Sequence, residues 1–154
     1  MEDINPFWPE EAEENDTGIF FTCHDVDLDT LDADAWSTWI KEVIAEESYE
    51  LTRIDYIFCS DEFLLEVNRT HLDHDFYTDI ITFPLNANPI IAEIYISVER
   101  VKENAASYSV PFQDELLRVI IHGILHLCGY DDHEETDIAF IRKREEYYLK
   151  KLVS

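Results

Sequence analysis

The chain has 154 residues, 46% of them hydrophobic, with only three glycines and five prolines, so it can bury one real core and has little room for long linkers. Its 35 acidic against 11 basic residues give a formal net charge of −24, which repels polyanions and excludes a general nucleic-acid-binding surface. Three scattered cysteines without a Cys-x-x-Cys pair suit a reducing compartment, and no apolar run nears the roughly twenty residues of a membrane span, so a cytoplasmic protein with no membrane contact is expected.

Residues 1 to 17 are acidic, lack a basic and apolar leader, and read as an N-terminal arm ahead of one domain over residues 18 to 154. From Gly18 the run IFFTCHDVD has the aromatic and β-branched content of a strand. Asp32 or Asp34 then caps a helix reaching Ser48, with Trp36, Trp39, Ile40, Val43 and Ile44 at helical spacing. Leu51 to Cys59 alternates as a second strand, and Asp61 caps a helix that turns Phe63, Leu64 and Val67 inward.

The polar loop LDHDFYTD follows, and Ile80 to Phe83 and Ile90 to Val98 read as two more strands. Glu93, inside the second of these, points to solvent in the simplest reading. Arg100 to Ser107 is a short helix, Phe112 to Leu127 a longer apolar one, and the last segment a helix with Ile138, Ile141, Tyr148, Leu149 and Leu152 toward the core. The pattern predicts an α+β fold, a small mixed sheet of about four strands with helices packed on it.

The stretch VIIHGILHLCGYDDHEET, Val119 to Thr136, carries the chemistry. His122 and His126 are four residues apart in an apolar helix, so both imidazoles leave the same face. A buried imidazole pair needs partners for its nitrogens, and a divalent metal takes two at once. Gly129 ends the helix, and the chain turns back so that Asp132 or His133 closes a third position. Two helical ligands and a third beyond a turn leave an open coordination position, the layout of a catalytic zinc. Cys128 points away from the histidine face. A zincin peptidase would place Glu directly after the first histidine as its base, and Gly123 stands there instead. Arg118, one turn before His122, is positioned either to contact a phosphate or to pair with a nearby acid.

The segment His-Gly-Ile-Leu-His-Leu-Cys-Gly-Tyr-Asp at 122 to 131 resembles the signature of the YbeY family, metal-dependent endoribonucleases implicated in ribosomal RNA maturation. Val67-Asn68, followed by Thr78-Asp79-Ile80-Ile81-Thr82-Phe83-Pro84, is similar to a second family segment, and Glu93-Ile94-Tyr95-Ile96-Ser97 to a family strand. The likeness covers roughly residues 50 to 150. This chain departs from the pattern in three places: Asp132 stands at the register of the third histidine, with His133 one step later; Leu72 stands where the family carries an arginine with a catalytic part; Ala92 replaces a glycine.

The resemblance implies a single-strand-specific, zinc-dependent endoribonuclease of ribosomal RNA maturation and ribosome quality control, with a central metal helix. Its metal ligands would be His122, His126 and Asp132 or His133. Arg118 and Asp79 are the candidate catalytic residues, Asp79 orienting a ligand histidine. Ribosomal RNA, touched only locally, is the implied partner, joined by a small-subunit ribosomal protein or a ribosome-associated GTPase. Leu72 and the negative charge favour an alternative, a non-catalytic ribosome-assembly factor stabilised by its metal.

Overall fold

The computed structural model describes residues 17–153; the arm expected over residues 1 to 17 lies, but for its last residue, outside them. Within them the chain runs β1 (Gly18–Cys23), α1 (Ala33–Glu46), β2 (Leu51–Cys59), α2 (Asp61–Leu72), β3 (Ile80–Asn86), β4 (Ile90–Ser97), α3 (Val98–Tyr108), α4 (Phe112–Leu127) and α5 (Glu135–Val153). The strands form one sheet in the order β1-β2-β4-β3. β1 and β4 lie parallel to β2, while β3 returns antiparallel on β4 and forms one edge. The expected mixed four-stranded sheet with packed helices is what forms.

Alternation divides β2 and β4 between two cores. Ile54, Tyr56, Phe58, Ala92, Ile94 and Ile96 face the larger one, built with α1, α3, α4 and α5. Ile57, Cys59 and Tyr95 face the smaller, closed by Leu64 and Val67 of α2. Both faces are covered, and so β2 and β4 are buried almost throughout.

The caps refine the boundaries. Asp32 caps α1, its Oδ1 accepting from Ala35 N at 3.3 Å. Ser60, not Asp61, caps α2: its extended backbone lets Oγ accept from Phe63 N at 3.1 Å, and Asp61 instead pairs with Arg100 at 2.6 Å. Ser97 caps α3 in the same way, so that helix begins at Val98, two residues before the expected start. Glu93 corrects a second expectation, because it is only 5% exposed. It shares a sheet face with Arg53 and Asp55, themselves joined by hydrogen bonds of 2.8 and 3.1 Å, so its carboxylate belongs to a buried polar group on the side away from α4. Ile138, expected inside, is 41% exposed, while Ile141 and Tyr148 are buried as expected.

α4 is apolar nearly all round and lies against β3 and β4 with α3 and α5 beside it. Gly123 permits that approach: a Cβ there would sit 3.0 Å from Ile80 Cδ1 and 3.3 Å from Ile94 Cδ1. The histidine face is thereby held beside the edge strand.

Candidate metal centre

The bend after α4 is a Schellman motif. Gly129 has φ +95°, its N–H donates to His126 O at 3.0 Å, and Tyr130 N–H donates to Leu125 O at 3.0 Å. The reversal carries Asp132 back beneath the two histidines. One ligand atom each from His122, His126 and Asp132 falls within 4.8 Å of the others. His126 Nε2 lies 3.0 Å from His122 Nε2 and 3.3 Å from Asp132 Oδ2, and His122 Nε2 lies 3.5 Å from that oxygen. The side chain of His133 is 82% exposed and turns toward Asp131 at 4.0 Å.

The outer nitrogens fix the tautomers. His126 Nδ1 lies 2.9 Å from Tyr130 O, which only accepts, so that nitrogen carries the proton. His122 Nδ1 lies 2.6 Å from Glu145 Oε2. Burial pushes the Glu145 carboxyl up, but the bond to His122 and the charge of Arg118 hold it below the usual range, so it too is an acceptor. In the metal-ligating form of each ring the proton stays on Nδ1, and both Nε2 atoms then present lone pairs to each other and to a carboxylate oxygen. Three acceptors with no donor between them fit a cation, and nitrogen and oxygen donors in this set fit a divalent metal.

Glu145 is the residue that sequence reasoning missed. It is 1% exposed on α5, with His122 on one oxygen and Arg118 NH1 on the other at 3.1 Å. A signal existed: Glu145 stands in the stripe Ile141, Tyr148 and Leu152, where a carboxylate inside an apolar face demands a buried partner. Arg118 meets the second of its two expectations. Its guanidinium is held by Glu115 at 2.7 and 2.9 Å and by Glu145, leaving it little to offer a phosphate.

Asp79 lines a groove of about 510 Å³ whose lining also includes Thr78, Thr82, His122, His126 and Asp132. Burial raises its carboxyl above the ordinary aspartate value against the pull of Arg118 and His122. No bond joins it to either histidine; its Oδ2 faces Asn104 Nδ2 at 3.4 Å. Cys128 packs into the core, its thiol pushed up to about 12 by burial, and is absent from the ligand group. No helix among the described residues is long and apolar enough to cross a membrane.

The family model for endoribonuclease YbeY matches residues 21–153. The chain belongs to the YbeY family. Similar proteins carrying the name endoribonuclease YbeY include that of Flavobacterium psychrophilum, 42% identical over 82% of this chain and 91% of its own length. That of Parabacteroides distasonis is 46% identical over 85% and 93%, and that of Bacteroides fragilis 53% identical over 61% and 68%. The solution structure of TM1509 from Thermotoga maritima superposes with a TM-score of 0.65 at 28% identity, covering 87% of this chain and 88% of that one. Membership of the YbeY family thus rests on nearly the whole described domain, metal helix included.

Proposed function

We propose that this chain is a zinc-dependent endoribonuclease that cleaves single-stranded RNA during ribosomal RNA maturation, with His122, His126 and Asp132 as the metal ligands. The observation that carries the reading is the convergence of two imidazole lone pairs and one carboxylate oxygen on the wall of an open groove. A zinc held there supplies Lewis acidity, lowering the pKa of a coordinated water and polarising a phosphoryl oxygen.

The chain's own residues supply the rest. Glu145 holds His122 in the tautomer that presents Nε2, and Tyr130 O does the same for His126. Arg118 neutralises Glu145 and Glu115 and so acts as a positioning residue. Asp79, whose raised pKa suits proton transfer nearer to neutrality, takes up a proton at its carboxylate in the groove lining.

One observation favours the second reading, a metal-stabilised assembly factor without nuclease chemistry: Leu72, 38% exposed, puts an apolar side chain where the resemblance calls for arginine. Incubating purified protein with precursor ribosomal RNA, with and without chelator, and beside the double variant His122→Ala, His126→Ala, separates the two. Cleavage by the zinc-loaded protein alone supports the nuclease; binding without cleavage supports the assembly factor; cleavage that survives both treatments sinks the metal mechanism.

A further inference from the structure

The loop between α2 and β3 exposes aromatic surface while being firmly held. Asn68, 1% exposed, anchors it twice: its backbone carbonyl accepts from His74 N at 3.1 Å, and its Nδ2 donates to Phe76 O at 2.9 Å. Arg69 Nε pairs with Asp75 at 2.5 Å, and Tyr77 donates its hydroxyl to Glu62 at 2.7 Å beneath the guanidinium of Arg100. Phe76 is 55% exposed all the same. The His74 ring stacks on it, centroids 5.1 Å apart and planes 20° from parallel, which braces the ring while more than half of it stays exposed.

A phenyl ring presented by a loop pinned at so many points is a prepared surface, since a slack loop would fold it away. The loop runs straight into the groove: Thr78 and Asp79 line it, and two residues of chain from Phe76 to Thr78 span at most about 7 Å. Cations offer little here. Arg53, Arg69, Arg100, Arg118 and Arg144 each lie within 2.8 Å of a carboxylate. With those arginines engaged and the net charge at −24, uncharged contacts gain weight in the affinity for a single strand, and a base's face on an aromatic ring is a strong one.

We propose that Phe76, braced by His74, is a stacking platform for an unpaired base of the RNA next to the cleavage point. The proposal rests on the nuclease reading above and adds the contact that selects single strands. Stacking is open only to a base out of its duplex, so the platform also sets strandedness.

The test is steady-state cleavage of a fluorescein-labelled single-stranded RNA by the zinc-loaded full chain, with fluorescence anisotropy of the same RNA as a second measurement. Phe76→Ala and Phe76→Leu are expected to raise KM and the dissociation constant about tenfold with kcat held, and Phe76→Trp to restore both. The salt dependence of binding stays that of the parent protein, because no phosphate contact is lost. Phe76→Ala and Phe76→Leu indistinguishable from the parent in both measurements overturn the platform while leaving the nuclease intact. A parent protein that binds but does not cleave removes the nuclease alone, and the anisotropy series still decides the platform. A parent that neither binds nor cleaves overturns both.

Discussion

At the scale of single residues the centre depends on which nitrogen of each imidazole carries its proton. Glu145 sets this for His122, so Glu145→Gln is expected to weaken zinc binding about 10- to 100-fold, read by competition with a chromogenic chelator, while circular dichroism stays unchanged. His133→Ala leaves zinc affinity at the parent value, its side chain being 82% exposed, whereas Asp132→Ala lowers it. Asp79 makes a pH prediction. Its folded pKa is raised by burial, so as a proton acceptor it works only above that raised value, and the acid limb of kcat/KM falls at a higher pH than an ordinary aspartate of 3.8 would give. Asp79→Asn lowers kcat by about 100-fold across the range without changing zinc affinity.

At the scale of elements, the candidate metal centre is the meeting of one helix, one bend and one partner helix. Gly129 makes the bend at φ +95°, a conformation costing about 1–2 kcal/mol for any residue with a Cβ. Gly129→Ala is therefore expected to lower the unfolding free energy measured in urea by that much and to lower zinc affinity with it, because Asp132 follows the turn. Glu47, at the end of α1, ties the same bend from behind: it accepts from Tyr130 at 3.0 Å, from Arg144 at 2.8 Å, and from the Tyr148 hydroxyl. Burial pushes its carboxyl up, yet these three partners hold it below the usual 4.5. A depressed folded pKa gives stability that is fully present above the unfolded value and is lost as pH falls through the folded one. Glu47→Gln is thus expected to cost about 1–2 kcal/mol at neutral pH and to flatten the acid side of the stability profile, measured by urea unfolding from neutral to acid pH.

At the scale of the whole molecule, the charge of −24 opposes any polyanion before contact is made. Screening should then speed RNA association: raising ionic strength from about 0.01 to 0.1 M shortens the Debye length from about 30 to 10 Å, and the association rate by stopped flow is expected to rise, the reverse of a basic nuclease. Much of this molecule could be read from its chain. The helix carrying His122 and His126, the turn at Gly129, the four strands and the charge are local or additive properties, set by periods of two and 3.6 residues, by glycine's freedom at positive φ and by counting. The choice between Asp132 and His133 was left open by the sequence, because adjacent residues in a bend differ only in direction. Glu145 went unread, lying 23 positions from His122, and the pairing of Arg118 with two acids and the burial of Glu93 each depended on what a distant element brought opposite. Spacing along a helix is decided by the backbone's own geometry, whereas a partner across the core is decided by packing, and only the folded chain puts those atoms within a hydrogen bond of one another.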